Sequence, residues 1–416
     1  MVETLRINSG EYVGLNILRI TTIPHLSILT DDQSVQGQQC AVIKAGQDFS
    51  GMLTEAYQQY KDSFLQTGSA VDISFELSWI SSPVVNQPYA ADVSLYCVIR
   101  TIQQQEALCT QVISTYMSVF KATLDSCKYE YQEETLCNYA SVFGRVAMGH
   151  SAKAIVREER MEDLQNAYLP ACYSYDRLPV DYPELDRIAN ILTSHPYCAV
   201  CFQWIPTYFT NEELQEINQL NQNISDQQVG TVSISSADRL AFLYHYYNDN
   251  KSRALFDYNI LVFGEEKDVT SIATRTMGQM AATQQMTAPN LSFVSLTPSE
   301  AYPGEQSLFS MPWVLSDQIL NKGRNTSLWS SGMVSPALYR LPYIVTADEA
   351  ASFFRLPLGS DKINAGFVVN EAGKSNKTYS ENIINAGDIE LGKLRAAMGN
   401  NAIGLSLKDL AKHMLI

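Results

Sequence analysis

The chain has 416 residues, 46% hydrophobic and 18% charged, which is material for two or three packed domains and excludes a disordered or fibrous polymer. Its formal charge of -15 argues against unspecific nucleic-acid binding and against attachment to an anionic membrane face, both of which rely on Lys and Arg. No apolar run reaches the ~18 residues of a membrane span. The opening "MVETLRINSGEYVG" carries Glu3 and Glu11 and lacks the basic-then-apolar layout of a signal peptide. The expectation is a soluble, cytoplasmic protein with reduced cysteines.

In chain order, the first α+β module is expected over residues 1–135. "QQCAVIKAG" can supply its first strand. "SGMLTEAYQQYKDSFLQ" places Met52, Leu53, Ala56, Tyr57, Tyr60 and Phe64 at helical spacing. "AVDISFELSWISS" alternates Val71, Ile73, Phe75, Leu77 and Trp79 with polar residues, the period of a strand. "DVSLYCVIRTI" is a second strand, and a long helix follows with Leu108, Val112, Tyr116, Phe120 and Leu124 on one stripe. "CKYEYQEE" is a candidate closing strand.

Residues 136–181 are expected to form a helical connector. It holds a small basic group, Arg145, Lys153, Arg157 and Arg160, read as a solvated helix face with Glu158 and Glu159 as partners. The same order of elements then recurs over 182–299: helix "YPELDRIANILTSH", strand "YCAVCFQWI", strand "FDYNILVFG", helix "KDVTSIATRTMGQMAATQQM" and strand "NLSFVSLTP". "NAYLPACYSYD" is the candidate first strand of this copy. An insertion at 210–250 begins with Thr210 and Glu213 as a capping box and carries a further helix after Ser236. The duplicated order predicts two tandem ferredoxin-like (split βαβ) modules with a helical insertion.

From about Glu300 the composition changes to Pro, Ser and Gly, and an extended arm is expected over 300–416. Its clear helix is "TADEAASFFRLP", with Thr346 as N-cap, Glu349 closing the box and Pro357 past the end. Short strands "GFVVNEAGK", "IELGKLR" and "AIGLSLKDL" follow.

No catalytic constellation stands out. "CAVC" at Cys198–Cys201 sits in a strand, where residues three apart point to opposite faces, so a shared metal is not expected. His25, His150, His195, His245 and His413 are not at ligand spacing from one another. Gly373-Lys374-Ser375 imitates the end of a P-loop. The glycine five positions earlier is Val368, so a nucleotide site there is rejected and no cofactor is assigned to this chain.

Three tail segments, taken in order, carry a resemblance. They are "VTADEAASFFRLP" with Leu356-Pro357, "IELGKLR" with Leu391-Gly392, and "GLSLKDLAKHMLI" with Leu410 and His413. Together they resemble the approach to the ATPase core of the HerA/FtsK superfamily, in particular its VirB4-like and HerA-like translocases. The resemblance implies a RecA-like motor entered through a Walker A loop immediately after "HMLI". ATP and Mg would belong to that motor. It further implies a non-catalytic N-terminal part serving partner docking or assembly of a hexameric ring, docked to a membrane complex, with DNA engaged through the motor. The alternatives are a stand-alone interaction or scaffold protein and an enzyme with a pocket between the modules.

Overall fold

The computed structural model describes residues 2–7, 9–30, 32, 34–68, 71–84, 87–148, 150–157, 160–164, 167–171, 192, 195–228, 247–265, 267–272, 291–301, 335–353, 356–359, 367–370, 389–396 and 399–405. The fold is α+β, as the sequence indicates.

Two strands open the chain, β1 (Glu3–Arg6) and β2 (Tyr12–Pro24). β2, "YVGLNILRITTIP", is buried on both faces: Leu15 and Ile17 enter one core, Leu18 and Ile20 the other. Burial on both sides removes the polar alternation that marks a half-exposed strand. Sequence reasoning placed the first strand at "QQCAVIKAG" instead. Those residues belong to α2 (Val35–Thr67), which follows the single turn α1 (Leu26–Leu29). The Ser34 side chain caps α2 by accepting from the Gly37 amide, and Ala41, Val42, Phe49, Met52, Leu53, Ala56 and Tyr60 keep one helical stripe buried. Gly68 ends the helix at φ 70°, a left-handed cap that favours glycine.

Next come β3 (Asp72–Val84), β4 (Gln87–Gln103), α3 (Glu106–Ser126) and β5 (Glu130–Glu134), all near their expected places. The expected stripe of α3 is shifted at its start: Leu108 is exposed, and Cys109 and Ile113 are buried in its stead. Then follow α4 (Leu136–Ala147), β6 (Ser151–Arg157), the separate hairpin β7 (Arg160–Leu164) and β8 (Ala167–Ala171), and β9 (Cys198–Thr207). After α5 (Asn211–Gln228) come β10 (Leu255–Gly264), β11 (Leu291–Leu296) and the turn α6 (Pro298–Ala301). The helices expected at "YPELDRIANILTSH", after Ser236 and beyond residue 272 lie largely outside the described residues; 247–250 and 267–272 are helical.

β6 falls inside the span expected to be a helical connector. It also takes the place that "NAYLPACYSYD" was expected to fill; part of that segment is β8. The reason lies in Lys153. It reads as a solvated cation, yet it is buried on β6 and donates to Ser295 Oγ of β11 at 3.0 Å. The expected basic helix face is thus divided among the end of α4 (Arg145), β6 (Lys153 and Arg157) and β7 (Arg160).

The strands of the first half lie side by side as β5-β2-β4-β3, and those of the second as β9-β10-β6-β11, all antiparallel. Counted from β2 in the first half, where the short β1 is an extra strand beside β2, and from β6 in the second, each half places its fourth strand beside its first, then its third, then its second. The halves share one sheet rather than forming two. β3 pairs with β9 from Phe75↔Trp204 to Ser81↔Cys198, centred on Ser78↔Cys201.

One face of this sheet is covered by α2 and α3. The phenyl rings of Phe75 and Phe120 stack at 5.2 Å, and α2 reaches the second half through Phe49–Trp204 at 6.1 Å and Tyr57–Phe256 at 6.0 Å. At about 1.5 Å per residue, the 33 residues of α2 are long enough to cross both halves. The other face receives α4, whose Tyr139, Phe143, Val146 and Ala147 are wholly buried.

The tail does not simply extend. After two 3-10 turns, Pro336–Leu338 and Leu341–Tyr343, β12 (Ile344–Thr346) pairs with β10 of the second half. Helix α7 (Ala347–Phe353) then packs on α2, where Ser50 Oγ donates to Asp348 at 2.7 Å. Finally β13 (Val368–Asn370) joins β2 of the first half in parallel. Val345, Ala350, Ala351, Leu358, Phe367 and Val369 of this segment lie in the main core. β14 (Ile389–Ala396) and β15 (Gly399–Leu405) form a separate antiparallel pair.

Candidate functional site

Two clusters of charged side chains stand out, one at the junction of the halves and one where the tail meets the second half. At the junction, Glu76 of β3 is fully buried under α4. Arg100 Nη1 of β4 donates to it at 2.8 Å, Gln203 Nε2 of β9 at 2.9 Å and the Tyr139 hydroxyl of α4 at 2.6 Å; Ser78 Oγ is a further donor. Burial by itself would push the Glu76 carboxyl up. Arg100 and the three neutral donors outweigh that and hold it below the ordinary range. The Tyr139 phenol is pushed well above its ordinary value, first by burial and then by the Glu76 charge.

These side chains come from four elements because alternate residues of β3 point to one face. Glu76, Ser78 and Ile80 face α4, and Phe75, Leu77 and Trp79 face α2 and α3. The arrangement supplies the donors that fix a buried carboxylate at the junction of the two halves.

The second cluster centres on Arg340, between the two 3-10 turns. Its Nε donates to Glu213 Oε1 at 2.9 Å and its Nη2 to Glu213 Oε2 at 2.8 Å, a side-on two-pronged pair. Nη1 meets both Asp257 oxygens at 3.0 Å and also Thr207 Oγ1, and Nη2 donates to the Tyr208 carbonyl at 2.8 Å. Glu213 has two roles. Its Oε2 also accepts from the Thr210 amide at 2.8 Å, which closes the capping box of α5. The Asp257 carboxyl is pushed up to about 6 by burial, against the pull of Arg340.

The cysteines of "CAVC" behave as strand geometry requires. Cys198 lies in the core under α2 and α3, and Cys201 in the core under α4. Burial raises the Cys198 thiol to about 12 and the Cys201 thiol well above its ordinary value. Among the described residues no group of three or more His, Cys, Asp or Glu is placed to hold a metal ion. Among the same residues no helix is long and apolar enough to cross a membrane.

The residues singled out in the tail separate as follows. Leu356 packs against the main core, and the Pro357 carbonyl accepts from the buried Tyr129 hydroxyl at 3.0 Å. The preceding capping box is formed: the Thr346 amide donates to Glu349 at 2.9 Å and the Glu349 amide to Thr346 Oγ1 at 3.2 Å. Leu391 and Gly392 are in β14, at a bulge in its pairing with β15, and Gly392 faces Ile403. Leu410, His413 and Gly373-Lys374-Ser375 lie outside the described residues. Val368 sits in the β13 ladder opposite Thr22.

Sequence reasoning missed both charged clusters. Glu76 was legible only as one of the polar residues alternating with Phe75 and Leu77, and Arg340 as one cation in a Pro-rich arm. The available signal for the second was the Thr210–Glu213 box, whose glutamate is buried beside Arg340. No protein-family model matches the chain, and no curated protein matches it.

Proposed function

We propose that this chain is the non-catalytic N-terminal part of a translocase ATPase similar to VirB4 or HerA, serving partner docking or ring assembly for DNA or protein transport. The observation that carries the reading is the path of the tail. It crosses from the second half to the first, seats Leu356-Pro357 on the core, and continues to a short two-stranded element with Leu391-Gly392. That is the order of the segments that resemble the lead-in to a HerA/FtsK motor. The role of the described residues is then to form a firm body: one sheet, with a buried carboxylate at its junction and a tail fixed across it. ATP and Mg would be bound by the motor and not by these residues, since position 368, where a P-loop needs glycine, is a paired strand valine.

Reading the gene beyond codon 416 tests this directly. A Gly-rich loop ending in Gly-Lys-Ser or Gly-Lys-Thr within the next dozen or so codons is the expected result. An in-frame stop with no such loop overturns the reading. A companion measurement is light scattering on the longer product with and without residues 1–416; loss of assembly on their removal is expected.

A further inference from the structure

Helices α3 and α4 lie on opposite faces of the sheet, and the short strand β1 reaches the start of both. Neighbouring residues of a strand point to opposite faces. Glu3 pairs with Leu15, which faces α4, and Thr4 pairs with Gly14, which faces α3. Glu3 Oε1 accepts from the main-chain amide of Leu136, the first residue of α4, at 2.7 Å. Thr4 Oγ1 donates to Oε1 of Glu106, the first residue of α3, at 2.6 Å. The first turn of a helix leaves main-chain amides without partners inside the helix, and a nearby anion suits them. The first turn of α4, Leu136-Cys137-Asn138-Tyr139, has no acidic side chain of its own. The Asn138 amide is taken by the Thr135 hydroxyl, and the Thr135 amide and Asn138 side chain by Glu134. The Leu136 amide is left for Glu3, 133 positions earlier. Cys137 and Asn138 are exposed, and Tyr139 is the first wholly buried residue of the helix.

We propose that β1 is a clasp across the sheet margin, Glu3 holding the start of α4 on one face and Thr4 the start of α3 on the other, so that the seat of Tyr139 on Glu76 depends on residue 3. This does not rest on the translocase reading. The two arms differ in strength. The Glu3 arm is part-buried and meets a main-chain amide at a helix start, where a carboxylate is favoured. The Thr4 arm is exposed, and α3 is in addition secured by the burial of Cys109 and Ile113 just beyond its first turn. The clasp therefore acts mainly on α4, the helix that lies over the junction and packs on β3, β9 and β10.

Hydrogen exchange on the full chain, read by residue, tests the clasp. Glu3→Ala is expected to speed exchange of the Leu136, Tyr139 and Ala140 amides roughly fivefold, the loss typical of a helix cap, and to leave the α3 amides of Leu108 and Cys109 unchanged. Glu3→Gln keeps an acceptor oxygen and should restore most of the protection. Thr4→Val should act on the other face alone, speeding Leu108 and Cys109 by about twofold. In denaturation, Tyr139→Phe should cost less on the Glu3→Ala background than in the unmodified chain, because residues acting in one network are not additive. Equal loosening of α3 and α4 by either single variant overturns the proposal, since β1 would then act as a ladder strand only. So does unchanged protection of α4 in Glu3→Ala, and so does a Tyr139→Phe cost that is the same on both backgrounds.

Discussion

The Tyr139 hydroxyl of α4 donates to the Glu76 carboxylate of β3 at 2.6 Å, with both side chains wholly buried. This contact ties the helix on one face of the sheet to the strand at which the two halves meet. It is also part of a network in which one negative charge is matched by one arginine, Arg100. Removing a single partner leaves a buried charge without compensation, which typically costs about 3–5 kcal/mol. Arg100→Met is expected to destabilise the chain by that much in chemical denaturation. Glu76→Leu combined with Arg100→Met should recover most of the loss. Additive losses in the double variant would show that the pair does not act as a unit. Tyr139→Phe should cost about 1.5–3 kcal/mol, the range for a hydrogen bond to a charged group.

Asp257 supplies a pH dependence with a definite sign. Its folded-state value of about 6 lies above the 3.8 of an unperturbed carboxyl, so the folded protein holds this proton more tightly than the unfolded chain. The stabilisation from this group is full below the unfolded value and is lost as pH rises through about 6. Glu76 acts in the opposite direction, since its value is lowered. The comparison must therefore be made against Asp257→Asn. Between pH 7 and pH 4, the stability of the unmodified chain relative to that variant should rise by up to about 3 kcal/mol. A flat or falling difference in urea titrations would contradict the burial argument.

Thiol labelling should separate two groups of cysteines. Cys40 and Cys137 are exposed and should react in the native protein. Cys97, Cys198 and Cys201 are buried, with thiols raised by burial, and should react only after unfolding. Peptide mapping after a pulse of iodoacetamide reads this directly. Native-state labelling of Cys198 or Cys201 would contradict their burial.

Nucleotide binding gives a further check. Titration calorimetry of the chain with ATP and magnesium should show no micromolar binding, because Val368 stands where a phosphate-wrapping loop requires glycine and is itself in a strand. Binding that is abolished by Lys374→Ala would sink that argument.

Gly14 of β2 passes so close to α3 that a side chain has no room. A Cβ there would lie 2.7 Å from Cys109 Cβ and 3.1 Å from Ile113 Cδ1. Gly14→Ala should cost about 1–3 kcal/mol by overpacking and lower the thermal midpoint. Cys109→Ala keeps the Cβ and should not rescue it, whereas Cys109→Gly, which removes the blocking atom, should recover part of the loss.

The sequence made some of this legible and hid the rest for identifiable reasons. β3, with Ile73, Phe75, Leu77 and Trp79 alternating, reads as a strand because Ser74, Glu76 and Ser78 break the apolar run. The same alternation conceals that Glu76 is buried, since a polar residue on the second face ordinarily meets water. β2 gave no period because both its faces are covered. Both capping boxes, Thr210–Glu213 and Thr346–Glu349, form as read, being local patterns that need no tertiary information. Arg340 and its acceptors are separated by 83 to 133 positions in sequence, so their meeting depends on the strand order alone. The tail was read as an arm because Pro and Ser dominate it. Its burial rests on a few residues, Val345, Leu358, Phe367 and Val369, spaced too irregularly to show a period.

The pairing of β3 with β9 about Ser78 and Cys201 has a consequence for what one half would do alone. Each half contributes its own second strand to that seam, so the chain contains internally what two separate copies would otherwise build as a homodimer. A homodimer made from the first half alone would pair β3 with β3 about Ser78. It would bring two Glu76 carboxylates, and two arginines, beneath a single crossing point. In the covalently joined pair, Ala199 stands at the position of β9 that corresponds to Glu76, and it faces the same core as Tyr139. The seam therefore encloses one carboxylate instead of two, and the space that the second would need is filled by a methyl group. Joining the halves in one chain lets the two sides of the seam differ, and that difference keeps like charges apart where no water reaches them.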